Sequence, residues 1–207
     1  MPGIIALQGG GPFVANDALD ARLLAEVGAT EVVVLPTADA FEQPERLVAD
    51  SMNWAERLDL QVEALMVLRR PDALDEGAAA VVRRARAVYL VGDQPMHLRS
   101  VLKDTPVWTA LTEVLAAGGL VVGVAASAAG LCDPMVDPRG GAFTLGLGLV
   151  PGLAFVGGAE QVSPERLHRT LALADTPVVV APSGAAVVRR DSGWEQVGEV
   201  TVHGTLP

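Results

Sequence analysis

Ser127, Cys132 and the three histidines His97, His168 and His203 are the side chains from which nucleophilic catalysis could be built in this sequence. A serine hydroxyl needs a base within hydrogen-bond reach and a strained turn that lifts it clear of its neighbours. Residues 118–139, GGLVVGVAASAAGLCDPMVDPR, supply the setting for such a turn. The apolar run 120–124 predicts a buried strand, and the small residues from Ala125 to Gly130 let the backbone swing tightly into a helix. Two residues compete for the tip of that elbow. With Ser127 there, the chain would be a serine hydrolase using His97 or His168 as a relocated base. With Ala125 there, the turn is kept and the nucleophile is gone.

The other reactive groups point to little chemistry. Cys132 lies inside or beyond the helix after the turn, where a buried inert thiol is expected. No two histidines have the His-x-x-x-His spacing of metal ligands, so no metal is expected. Gly9-Gly10-Gly11 could receive a phosphate on its N–H groups, which gives a third reading as a nucleotide-binding module. That turn lacks the Lys-Ser/Thr of a P-loop and the spacing of a dinucleotide fingerprint, and no cofactor is expected.

The elements that must position these residues alternate. Strands are predicted at 3–8, 31–35, 60–67, 87–91 and 120–124, with helices at 44–58, 72–85 and 107–117 between them. A further helix carries Leu19, Leu23, Leu24 and Val27 on its apolar face, with Asn16-Asp17 as its cap and Gly28 as its stop. Ser163-Pro164-Glu165 opens a helix, and short strands follow at 178–181, 185–189, 194–197 and 199–203. This alternation predicts one α/β domain over 1–207, with a doubly wound, mostly parallel sheet flanked by helices. Ligands of such sheets bind beyond the carboxyl ends of the strands, so loops 8–12, 36–39, 92–97 and 125–130 would line one rim.

Composition narrows the partners. Half of the 207 residues are apolar, enough for a sizeable core, and the net charge is −10. That charge argues against nucleic acid, whose phosphates need clustered Lys and Arg. MPGIIALQGGG lacks the basic region and apolar segment of a signal peptide, and no apolar run reaches membrane-spanning length. A single cysteine excludes an internal disulfide and fits a reducing compartment. A soluble cytoplasmic protein with no membrane or nucleic-acid partner is expected.

Five segments in order, GIIALQGGG, VVVLPTADA, VYLVGDQPMHL, LGLGLVPGLAF and PERLHRTL, resemble the serine peptidases that include cyanophycinase and peptidase E. The resemblance covers nearly the whole chain and implies a fold like that of the class I glutamine amidotransferases. The nucleophile of that family lies in Gly-Thr-Ser-Ala-Gly-Ala, with an Asp and a Met shortly after. Aligned without a gap, GVAASAAGLCDPM puts Gly123 on the first Gly, Ala125 on the serine, and Asp133 and Met135 on the downstream pair. Sliding Ser127 onto the nucleophile loses all three of those matches. Where the family carries Asp-Gln-His-Phe, this chain reads Val156-Gly157-Gly158-Ala159, so Gly158 stands at the general base. A family Asp-Glu segment is matched by residues 181–185, APSGA, with no carboxylate.

The resemblance also implies that the glycine turn at Gly92 and the residue after the nucleophile, Ala126, donate backbone N–H groups to a developing oxyanion. Gly10, Gly11, Gly92, Asp93, Gln94 and Ala126 are therefore the expected ligand-binding rim. The leading expectation is a catalytically inactive homologue that binds a small peptide or carboxylate ligand or serves in assembly, with a homodimer left open. The alternative is an active serine peptidase of this family using Ser127.

Overall fold

The computed structural model describes residues 3–207. Strands β1 (Ile4–Gln8), β2 (Glu31–Leu35), β3 (Gln61–Ala64), β4 (Ala87–Leu90) and β5 (Leu120–Val124) run parallel, in the spatial order β1-β5-β4-β2-β3. β1, β2, β4 and β5 read as short, largely apolar runs because both of their faces are covered. Ile5, Leu7, Val33, Leu35, Val88 and Leu90 project into one core. Their alternating neighbours Ile4, Ala6, Val32, Val34, Ala87 and Tyr89 project into the other.

Helices α1 (Asp17–Val27) and α2 (Pro44–Leu58) close the second core through Leu23, Leu24 and Trp54. The first core is closed by α3 (Arg70–Ala73), α4 (Glu76–Arg84), α5 (Pro95–Leu102), α6 (Pro106–Ala116) and α7 (Ala126–Leu131). After α7 come the two-residue strands β6 (Cys132–Asp133), β7 (Met135–Val136), β8 (Phe143–Thr144) and β9 (Val150–Pro151). They are followed by β10 (Ala154–Gly157), α8 (Pro164–Leu173), β11 (Val178–Ala181), β12 (Ala186–Arg190), β13 (Gly193–Val197) and β14 (Thr201–His203).

The hairpin β12–β13 adds to the large sheet beside β1, antiparallel to it, and completes seven strands in the order β13-β12-β1-β5-β4-β2-β3. β10, β11 and β14 form a separate small sheet, whose Ala154, Val156, Val178 and Val180 pack with Val136 and with Leu167 and Leu171 of α8. The architecture is thus the expected α/β sheet flanked by helices, with its short C-terminal strands divided between two sheets.

Three local expectations need correction. The strand predicted at 60–67 is confined to Gln61–Ala64, an edge strand paired on one side only. The helix predicted at 72–85 is two helices. Leu74 closes α3, and the Asp75 carboxylate accepts from Ala78 N at 2.8 Å to start α4 afresh. Asn16 does not cap α1 with its side chain, because its Nδ2 is directed inward to Gln8 Oε1 and the Gly10 carbonyl, each at 3.3 Å. Helix α5 was not among the predicted elements. It begins at Pro95, whose fixed φ suits a first helical position, and Gln94 N is held by the Ala38 carbonyl at 2.8 Å.

Candidate functional site

The site is built where β1, β5 and β10 end. β1 and β5 run in register to Gln8 and Val124, and the next amide, Ala125 N, donates to the Gln8 carbonyl at 2.8 Å. There the chain reverses. Ala125 has φ 52° and ψ −117°, a conformation L-residues rarely adopt, and α7 starts at Ala126. Ala125 therefore occupies the tip of the turn. Ser127 is the second residue of α7 and has no exposed surface; its Oγ donates to the Gly92 carbonyl at 3.1 Å. That bond joins α7 to the loop after β4.

Two glycines allow the loops to meet. Gly92 has φ 112°, and a methyl group there would sit 2.5 Å from the Ala38 carbonyl carbon, so the loop after β4 lies directly on the 3₁₀ turn Thr37–Asp39. A methyl group at Gly157 would lie 2.7 Å from Ala125 Cα and 2.7 Å from the Gly9 carbonyl oxygen. Gly158 N donates to that same Gly9 carbonyl at 2.5 Å. Gly158 itself is left-handed, with open space where a side chain would project.

Beside the tip lies a cavity of about 450 Å³. Gly10, Gly11, Ala125, Ala126 and Gly158 supply a backbone-rich wall, and Val136, Phe155, Val156 and Val162 an apolar one. The polar side chains on it are Asp93, Gln161, Arg166, Thr170 and Ser183. Arg166 on α8 is the one cation among the described lining residues. Its Nη1 donates to the Pro138 carbonyl at 2.9 Å, and among the described residues no carboxylate pairs with it. The Asp93 carboxyl is raised above its ordinary range, first by desolvation and then by the like charges of Asp39 and Glu42. Ser183 Oγ donates to Glu160 at 2.5 Å and holds that carboxyl below its usual range. A second cavity, also about 450 Å³, shares Pro12, Asp93 and Ala125 with the first and takes in Gly92, Gln94 and the acidic Asp39 and Glu42.

The rim residues expected from the sequence divide between these cavities. Gly10, Gly11, Asp93 and Ala126 line the first, and Gly92, Asp93 and Gln94 the second. The histidines lie elsewhere. His97 donates from Nε2 to the Leu68 carbonyl at 2.8 Å and packs edge-on against Phe41. His168 is exposed on α8 and His203 is exposed on β14. None of the three lines either cavity. Cys132 is fully buried and desolvation pushes its thiol strongly upward, away from the reactive thiolate.

Among the described residues no group of three or more His, Cys, Asp or Glu side chains is placed to hold a metal ion. None of their helices is long and apolar enough to cross a membrane. Sequence reasoning missed Gln161, Arg166, Thr170 and Ser183. A signal existed for two of them: Arg166 and Thr170 are four residues apart in PERLHRTL and so share one face of α8.

The comparisons with known proteins agree on the architecture. The model of peptidase family S51 matches residues 5–197. The structure of a peptidase from an acI-B1 Actinobacterium is similar with a TM-score of 0.86 and 24% identity, over 97% of this chain and 89% of that one. A protein provisionally named peptidase E, from Listeria monocytogenes EGD-e, is similar with a TM-score of 0.66 and 18% identity, over 97% of this chain and 98% of that one. No curated protein matches the chain.

Proposed function

The chain belongs to peptidase family S51, and we propose that it is a member without hydrolytic activity, whose cavity binds a small peptide or carboxylate ligand. The observation that carries this reading is Ala125 at the strained tip between β5 and α7. A methyl group there cannot attack a carbonyl, and Gly158, where the resemblance sets the general base, cannot take a proton. What supports binding is Arg166. A half-buried guanidinium on a cavity wall, with no carboxylate partner among the described residues, is suited to receive a ligand carboxylate through two parallel hydrogen bonds. The apolar wall of Val136, Phe155 and Val156 favours an uncharged side chain next to that carboxylate.

The alternative, an active serine peptidase using Ser127, would require this side chain to leave the Gly92 carbonyl and to find a base, which the positions of His97 and His168 disfavour. A cytoplasmic setting belongs to the same proposal, since it leaves Cys132 reduced. So does assembly as a homodimer.

The test is calorimetric titration of the purified protein with a panel of short peptides and with the same peptides as C-terminal amides. Binding of the free acids, weakened at least tenfold by amidation or by Arg166→Ala, is the expected result. Peptide hydrolysis that disappears in Ser127→Ala, or labelling of Ser127 by a fluorophosphonate, would overturn the assignment.

A further inference from the structure

A chain of buried polar side chains runs from the core beneath α1 to the glycine wall of the cavity. Asp20 on α1 is 1% exposed, and its Oδ1 accepts from Gln8 Nε2 at 2.6 Å and from Tyr89 Oη at 2.9 Å. Gln8 Oε1 in turn accepts from Asn16 Nδ2 at 3.3 Å, and that Nδ2 also donates to the Gly10 carbonyl at 3.3 Å. Gln8, Asn16 and Tyr89 are all buried. No cation faces Asp20 among the described residues. Asp17, on its own helix, is of like charge, and Arg57 of α2 is engaged by Asp17 at 2.8 Å and by the Phe13 carbonyl. β1 and β4 present the neutral Gln8 and Tyr89, and α2 presents Trp54, whose ring lies 5.2 Å from that of Tyr89.

Donor and acceptor rules make this chain directional. A carboxylate only accepts, so while Asp20 is ionised Gln8 must turn Nε2 toward it and leave Oε1 for Asn16. Asn16 must then offer Nδ2, the same group that holds Gly10. A proton on Oδ1, the oxygen that meets Gln8, makes an O–H for which the Gln8 amide oxygen is the acceptor at hand. Once Gln8 turns to supply it, Nε2 confronts Nδ2, two donors face one another, and Asn16 lets go of the Gly10 carbonyl.

We propose that Asp20, Gln8 and Asn16 form a proton-sensitive latch on the Gly10–Gly11 wall of the cavity, closed when Asp20 is ionised and released when it takes a proton from solvent. Desolvation, only partly offset by the hydrogen bonds from Gln8 and Tyr89, lifts the Asp20 carboxyl to about 6, so the change falls between mildly acidic and neutral pH. The Gln8 backbone carbonyl also holds Ala125 N, so the same strand end carries the elbow. The latch's use in controlling a ligand rests on the binding function proposed above; its existence does not.

The experiment is an NMR titration of the full chain between about pH 4.5 and 8, following the backbone amides of Gly10 and Gly11 and the Asp20 carboxyl carbon. Gly10 and Gly11 should shift with a midpoint near 6 shared with Asp20. The transition should vanish in Asp20→Asn. In Tyr89→Phe, which removes one donor to the ionised form, it should move upward by roughly one unit, the size of one hydrogen bond to a charged group. Glycine amides that ignore the Asp20 midpoint would overturn the latch, as would a transition unchanged in Tyr89→Phe; the wild-type and Tyr89→Phe titrations suffice if Asp20→Asn does not fold. No ligand enters this readout, so a failure of peptide binding leaves it intact and the two readings fail separately.

Discussion

Replacing Ala125 by glycine should stabilise the protein, the reverse of the usual effect of glycine. Ala125 sits at φ 52° and ψ −117°, outside the regions open to a residue with a Cβ. Backbone held in such a region costs about 1–3 kcal/mol, and glycine would release most of it. Against this stand two losses. The extra freedom of glycine in the unfolded chain costs about 0.5–1 kcal/mol. Losing a half-buried methyl group costs about 0.4 kcal/mol, half the value of a fully buried one. Taking the middle of each range, Ala125→Gly gains about 1 kcal/mol, or a rise in Tm of roughly 2–4 °C for a chain of this length. Equilibrium urea unfolding of the variant and the wild type measures it. Ala126→Gly is the control, because Ala126 is in ordinary helical geometry one residue later and should lose about 0.5 kcal/mol or more. If Ala125→Gly is destabilised as much as the control, the elbow is not strained, and a retained tight turn can no longer be argued from backbone geometry.

Gly92→Ala should lose about 3 kcal/mol or more, read by the same unfolding assay, since its methyl group would run into the backbone of Ala38 and Asp39. Asp20 should make stability fall with rising pH. Its carboxyl is raised from 3.8 to about 6 on folding, so the folded state holds the proton more tightly; the penalty is absent below about pH 4, grows through 6 and is complete above it. Two units correspond to about 3 kcal/mol, and the stability of wild type minus that of Asp20→Asn should drop by that much between pH 4 and 8. The opposite slope from Glu26, Asp137, Glu160 and Glu195, each held below its usual range by a hydrogen-bonded partner, is common to both proteins and cancels. Cys132 should resist thiol reagents in the folded protein and react only on unfolding, which mass spectrometry of iodoacetamide-treated samples in and out of urea will show.

The parallel sheet was legible because each of its inner strands is an apolar run bounded by turn residues, and burial on both faces leaves no other use for VVVL or LVVGV. The elbow was legible for a related reason: a strand that ends in Ala-Ala-Ser-Ala-Ala-Gly has side chains too small to obstruct a sharp reversal. Other features depended on partners far along the chain. Helical periodicity runs through 72–85, and only the Asp75 carboxylate, by taking Ala78 N, divides it. Asn16 precedes a helix and reads as its cap, yet Gln8 and Gly10 outbid the helix for its amide. Arg166 and Ser183 reach the cavity from α8 and from the loop after β11, elements whose placement beside the elbow depends on the small sheet folding against it. Local pattern carries no information on that docking.

The strand order β12-β1-β5 also sets a timetable. β2 can pair with β3 and β4 as soon as residue 90 has been made, whereas β1 must wait for β5 on one side and for β12 on the other. The first strand to be synthesised is thus the last of the five parallel strands to be satisfied, and until then the apolar Ile4, Ile5 and Leu7 lie open to solvent and to other chains. The cavity inherits this delay, because Gly9 N binds the Ala185 carbonyl and Ser183 forms part of the wall. A nascent chain arrested between α7 and these residues would carry the elbow sequence without the pocket, and would be a substrate for chaperones before it could receive a ligand.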